Sequence, residues 1–100
     1  EVTIGIVHGG GRTMLKQERI ELGSVWTAPR DGTLVCGGRA RYDTAYLFIN
    51  DKIDNVYVGM LTIEKQDHYG TVMCPVLAGH TYEMRRQHWL SQGDLFVYEE

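Results

Sequence analysis

The sequence predicts an all-β protein: an antiparallel β-sandwich, jelly-roll-like, of about eight short strands. Three observations predict it. Val, Ile, Thr, Tyr, Phe and Trp make up 33 of the 100 residues, against four alanines and three lysines, and β-branched and aromatic side chains suit a pleated, half-buried surface. Apolar residues alternate with polar ones in several short runs. Turn-forming residues recur at roughly ten-residue spacing, the rhythm of sandwiches and jelly rolls.

Length and charge set further bounds. One hundred residues make a single domain, 1–100, with one core between two layers. There is no room for a cofactor domain beside a substrate domain. No apolar run reaches the ~20 residues of a membrane-spanning helix. A formal charge of −3 offers no basic footprint for nucleic acid or an anionic membrane. The chain opens on Glu1, with neither an initiator Met nor a signal-peptide pattern, and is expected to be a piece of a longer protein.

Val2–Val7 reads as a strand with Val2, Ile4 and Ile6 on one face. His8-Gly9-Gly10-Gly11 breaks it and lacks the Lys-Ser/Thr of a phosphate loop. Arg12–Leu22 has one weak apolar stripe, too little for an isolated helix. It is expected to be extended, with Ile20 and Leu22 inward; a short helical turn is the alternative. Val25–Pro29 is a strand with Trp26 in the core. Pro29-Arg30-Asp31-Gly32 is a turn, since Pro fixes φ, Asp bonds its own backbone and Gly accepts positive φ. From Thr33, the residues Leu34, Cys36, Gly38 and Ala40 share one face, and Arg39 and Arg41 the other.

Ala45–Ile49 is the next strand, followed by an expected hairpin turn at Asn50-Asp51 and a second turn at Asp54-Asn55. Short strands are expected at Val56–Val58 and Leu61–Ile63, then a polar loop over Gln66–Gly70. Thr71–Val76 points Val72, Cys74 and Val76 inward, and Pro75 assigns it to a sheet edge or a strand end. After a turn at Ala78–His80, Thr81–Arg86 alternates with Tyr82 and Met84 inward. Gln87–Asp94 is expected to be a loop and Leu95–Tyr98 the last strand.

The residues that carry chemistry are few. Cys36 and Cys74 permit one disulfide, but they also read as two buried thiols. Neither lies in a C-x-x-C pair. His8, His68, His80 and His88 show no metal-ligand spacing. The run Asn50–Asn55 offers oxygen ligands but reads better as turn chemistry. No Gly-x-Ser-x-Gly elbow exists, and no pair of acids is singled out, so no enzyme, no metal and no cofactor are expected. Arg39 and Arg41, expected near Arg85, are candidates for anion binding or for pairing with Glu83 across an interface; a salt-bridged surface is the simpler reading. Trp89 in the 87–94 loop, with His88 and Gln92 beside it, is the candidate ligand site. An exposed indole stacks on a sugar face while amides fix its orientation. The competing reading folds Trp89 back to cap one end of the sandwich.

Val25-Trp26-Thr27-Ala28-Pro29-Arg30-Asp31-Gly32-Thr33-Leu34-Val35 resembles a recurring segment of bacteriophage structural proteins, an aromatic-Thr-Ala-Pro-x-Asp-Gly run that begins a small β-sandwich. Tyr46-Leu47-Phe48-Ile49-Asn50 resembles the same family's strand ending in Ile-Asn-Gly, with Asp51 here replacing the Gly. Cys74-Pro75-Val76-Leu77-Ala78-Gly79-His80-Thr81-Tyr82 is similar to its Pro-Val-x-x-Gly-Asp-x-Val run, and Phe96-Val97-Tyr98 to its closing strand. The resemblance covers Val25 to Tyr98 and leaves out residues 1–24. It implies a jelly-roll-like domain of a tail or head fibre in the virion, homotrimeric, binding a host-surface glycan or other virion proteins. A decoration domain without ligand and a bacterial carbohydrate-binding module are the alternatives.

Overall fold

A computed structural model describes residues 7–8, 11–12, 14–20 and 25–100. Apart from Val7, the expected first strand lies outside the described residues, as does Leu22. Every regular element described is a strand: β1 Val7–His8, β2 Gly11–Arg12, β3 Leu15–Arg19, β4 Val25–Thr27, β5 Gly32–Ala40, β6 Ala45–Asp51, β7 Val56–Ile63, β8 Tyr69–Val76, β9 Thr81–Gln87 and β10 Trp89–Glu99. β1 and β2 pair with each other across the glycine-rich stretch. The other eight form two four-stranded antiparallel sheets, β3-β10-β5-β8 and β4-β9-β6-β7.

The topology is a long hairpin rolled up. β6 pairs with β7, β5 with β8, β4 with β9 and β3 with β10, four nested antiparallel pairs with the tip between β6 and β7. Rolling brings β10 against β5 and β9 against β6. This closes a β-sandwich with jelly-roll strand order, with β3 and β8 at the edges of one sheet and β4 and β7 at the edges of the other. β8, which carries Pro75, is an edge strand, where a residue without an N–H does least harm.

Period-two alternation builds the core. Leu34 and Cys36, Leu47 and Ile49, Cys74 and Val76, Tyr82 and Met84, Phe96 and Ala28 form one buried cluster. Fully burying each large aliphatic or aromatic side chain contributes about 1.5–3 kcal/mol. Ala40, Ala45 and Ile63 form a second cluster at one end of the sandwich. Trp26 packs on the core against Phe96 and Tyr82, at centroid distances of 5.1 and 6.1 Å. Cys36 and Cys74 are free buried thiols. Burial pushes Cys74 up to about 11. Cys36 is pushed further, by burial first and then by the neighbouring Asp94 carboxylate, so neither is a nucleophile near neutral pH.

Four expectations are corrected. The turn between β6 and β7 is not at Asn50-Asp51 but spans residues 52–55, with Asp51 still in the strand. The Asp51 carboxylate accepts the N–H groups of Ile53 and Asp54 at 2.8 and 3.1 Å, so the turn chemistry acts from the strand end. Val56–Val58 and Leu61–Ile63 are one strand, because β7 pairs along β6 with a single irregularity at Ile49/Asn50. The polar loop before β8 ends at His68, and Tyr69-Gly70 already pair with Arg39 and Gly38. The expected loop over 87–94 is strand: only His88, with φ of 67°, separates β9 from β10 as the chain crosses between sheets. Arg12–Leu22 is extended at β3, and Ile20 packs on the core as expected.

Candidate functional site: a glycine trough on one sheet

β10 is held in place by two side chains. Trp89 packs against both core clusters and donates its Nε1–H to Tyr46 O at 2.8 Å. The indole therefore folds back and closes the end of the sandwich. On β10, Asp94 points inward and pairs with Arg86 of β9, with side-chain exposures of only 3% and 11%. This ion pair crosses the core from one sheet to the other.

The three expected site residues are differently engaged: the Trp89 ring and Gln92 both lie beside Gly38, and His88 precedes Trp89 between the two strands. Trp89 is half-buried, and His88 is exposed with Nδ1 at 3.0 Å from Thr44 O and its ring edge-on to Tyr42. Gln92 is exposed on β10 opposite Gly38. Arg39 and Arg85 lie on different sheets. Arg39 pairs with Asp67 at 3.1 Å, and Arg85 with Glu83 at 3.6 Å within its own strand.

Beside Gln92 the strand register builds a site that sequence reading missed. On the outer face of β10, β5 and β8, cross-strand partners form rows. One row is Leu95, Val35 and Met73, continued by Arg19 on β3; the next is Gly93, Gly37 and Thr71; the third is Ser91, Arg39 and Tyr69. Two adjacent strands thus present glycine at the same level. A trough of about 380 Å³ lies there, floored by Gly37, Gly38, Gly70 and Gly93 and walled by Val35, Leu95, Arg19, Thr71 and Tyr69; of the four glycines Gly93 alone leaves open space where a Cβ would stand, since a Cβ on Gly37 would meet Gly70 O at 2.5 Å. That volume is within the ~300–1,000 Å³ of small-ligand pockets. Tyr69 is the most exposed large apolar side chain among the described residues, at 73%. The Arg39 guanidinium lies 5.7 Å from its ring centroid, and Arg39 Nε is covered and without a hydrogen-bond partner. An unmet buried donor of this kind costs about 1–3 kcal/mol.

Two other places compare less well. A wider groove between Leu15, Arg30, Asp31, Val97 and Tyr98 has its aromatic ring more fully engaged than Tyr69, by Arg30 at 4.6 Å, closer than the 5.7 Å of Arg39 to Tyr69, and by Phe96 stacked at 5.1 Å. At the hairpin tip, Asp51, Asp54 and His80 offer ligand atoms within 4.8 Å of one another, a set compatible with a divalent cation. Both Asp51 oxygens are already used, Oδ1 by the turn and Oδ2 by His80 Nδ1 at 2.7 Å. The trio is complete as a lock between the β6–β7 and β8–β9 turns.

That lock makes stability depend on pH. Burial alone would raise the Asp51 carboxyl, but hydrogen bonds from His80 and from the N–H groups of Asp54 and Ile53 outweigh it and hold it below its usual value. The hydrogen bond to Asp51 raises His80 against the effect of burial, and the charges of Asp51, Asp54 and Asp31 add to the rise. His80 stabilisation is therefore full below its ordinary value of 6.5 and fades as pH climbs through the raised folded value. Asp51 stabilisation is present above 3.8 and fades as pH falls through the lowered folded value. The melting temperature is expected to decline as pH rises from 6.5 through the raised His80 value, and His80→Gln to flatten that decline. An unchanged slope in the variant would assign the pH dependence elsewhere.

No family model, curated protein or solved structure matches this chain.

Proposed function

We propose that this chain is a non-catalytic binding domain of a bacteriophage fibre or tail tip, and that it engages a host-surface glycan through the trough on β10, β5 and β8. The observation that carries the reading is the open Gly93, paired with Gly37, between an apolar wall and the exposed Tyr69. A flat concave floor with an aromatic face at its rim suits a pyranose ring, which stacks its apolar side and hydrogen-bonds with its edge. The virion setting rests on the sequence resemblance. Its Thr27-Ala28-Pro29 and Asp31-Gly32 residues form the corner between β4 and β5, where Asp31 Oδ1 accepts Ala78 N–H at 2.8 Å.

The trough can be filled without disturbing the fold, because a Cβ on Gly93 meets nothing within 4 Å. Gly93→Leu is expected to keep the melting temperature and to abolish binding on a printed glycan array. Tyr69→Ala is expected to weaken binding about tenfold, the size of one aromatic stacking contact. Undiminished binding by both variants would remove the trough from the function.

A second reading, assembly without a glycan, is favoured by the opposite sheet. Its outer face carries Tyr46, Phe48 and Tyr57, with neighbouring centroids 5.2 and 6.3 Å apart, beside the exposed Met60 and Val25. These rings pack edge-on or tilted against one another, an arrangement suited to contact with a second copy or another virion protein. A trimeric native mass that Phe48→Glu converts to a monomer would support this contact; a wild-type monomer would remove it.

A further inference from the structure

Among the described residues, no strand pairs with the outer edge of β8. Hydrogen-bond parity decides which groups that edge offers. Ala40 N–H donates to His68 O at 2.9 Å, so Ala40, Gly38, Cys36 and Leu34 turn their N–H and C=O toward β8. Gly70, Val72 and Cys74 answer them from β8. Tyr69, Thr71 and Met73 therefore direct both backbone groups away from the sheet, while Pro75 beyond them has no N–H to offer.

Free edges are normally guarded by charge or kept short. On one side of the sandwich β3 carries Lys16, Glu18 and Arg19, and β4 has three residues. On the other side β7 and β8 pack beside each other, eight residues each and without a charge. Tyr69 and Met73 stand on the outer face of β8 at 73% and 70% exposure. We propose that β8 pairs antiparallel with β8 of a second copy, about a twofold axis at Thr71, and that this joins the two troughs into one groove. The register sets Thr71 opposite the partner's Thr71 and Tyr69 opposite the partner's Met73. Every outward N–H and C=O from Tyr69 to Met73 gains a partner, and Pro75 falls outside the paired stretch. Each exposed methionine lies beside a tyrosine ring, a favourable sulfur–aromatic contact, and no like charges face each other. A standard interface buries about 800 Å² per partner over about 20–30 residues, so the two edges supply on the order of 1,000 Å² in total, enough for a weak specific dimer.

The row Gly93, Gly37, Thr71 then continues through the partner's Thr71, Gly37 and Gly93, about 24 Å across the joined sheet at the usual strand spacing. The two Tyr69 rings stand at its middle on opposite walls. Such a groove takes several units of an extended polysaccharide where one trough takes a single unit. The pairing rests on the strand edge alone; its use for a polysaccharide rests on the trough binding a glycan.

The test is sedimentation velocity up to submillimolar concentration, with circular dichroism melts to confirm folding. The wild-type chain is expected to form a dimer. Thr71→Lys and Thr71→Glu each set two like charges face to face on the twofold axis and are expected to weaken it at least about tenfold. An equimolar mixture of the two is expected to restore it. Met73→Glu, at an exposed position outside the trough lining, is expected to weaken it as well and serves if a Thr71 variant fails to fold. A wild-type monomer overturns the proposal, as does a dimer indifferent to these changes. A mixture that stays monomeric overturns the twofold axis at Thr71. Assembly lost in Phe48→Glu but kept in the β8 variants moves the contact to the other sheet and also overturns it. A glycan array of graded chain length reads the groove separately. Long chains bound as tightly by Met73→Glu as by the wild type overturn the joint groove. A dimer that binds no glycan overturns the glycan reading and the groove, and leaves the strand pairing standing.

Discussion

Asp94→Ala is expected to destabilise the fold by about 3–5 kcal/mol, the usual result of removing one partner from a buried ion pair. A domain of this size has about 5–15 kcal/mol in total, so the variant stands near the edge of folding. The reason is geometric. Arg86 and Asp94 reach across the core from opposite sheets, and both side chains are almost completely covered. Even with the pair intact, Arg86 Nη1 and Asp94 Oδ1 have no hydrogen-bond partner. Without Asp94 the guanidinium keeps its charge in a low-dielectric space with no counter-ion. Replacing both partners by apolar residues of similar length, Arg86→Met with Asp94→Leu, is expected to recover most of the loss, because no charge is then buried. Urea denaturation of the three chains decides the matter. A double variant as unstable as Asp94→Ala would mean that the pair itself, and not the stranded charge, holds the sheets together.

That pair also explains why strand β10 was hard to read. Alternation marked Ala45–Ile49, Thr71–Val76 and Thr81–Arg86 as strands because their inward positions are apolar, and those strands lie where the pattern puts them. In Gln87–Asp94 the inward position 94 holds a carboxylate and the outward position 93 a glycine, so the pattern reads as a polar loop. The carboxylate is inside because Arg86, on a strand of the other sheet, neutralises it. No local pattern contains that information. The tip turn was displaced for a related reason, since Asp51 caps the turn from a strand position and spends its second oxygen on His80.

The trough was legible only as a fragment. Glycines inside strand-like runs signal close backbone approach or a missing side chain, and Gly37 and Gly38 fall in such a run, whereas Gly70 and Gly93 stand in segments whose polar pattern reads as loop. Cross-strand register alone places Gly93 opposite Gly37 and Arg39 opposite Tyr69. The expected Trp89 site was drawn from the residue type that stacks best on sugars. The packing around Ala40, Ala45 and Ile63 uses that indole to close the core, and the exposed aromatic on this face is Tyr69.

The glycines of this region differ in what they are for, and their alanine variants should differ in sign. Gly38→Ala places a Cβ 2.2 Å from Ser91 O, 2.9 Å from the Trp89 ring and 3.1 Å from Gln92 Cα. The first and third are backbone atoms of β10, which cannot yield without opening the ladder at Gly38–Gln92. The expected loss is about 3 kcal/mol, the upper part of the range for overpacking, and a lower melting temperature is the readout. Gly93→Ala meets no atom within 4 Å and reduces the freedom of the unfolded chain, so it is expected to stabilise by about 0.4–1 kcal/mol. Gly38 is thus glycine because the fold requires it, whereas at Gly93 the fold would be better served by alanine. A position that gives up stability for an open surface fits a site where something else must lie against the strand. If Gly93→Ala instead proves as damaging as Gly38→Ala, the open floor is a packing requirement, and the argument from Gly93 to a ligand fails.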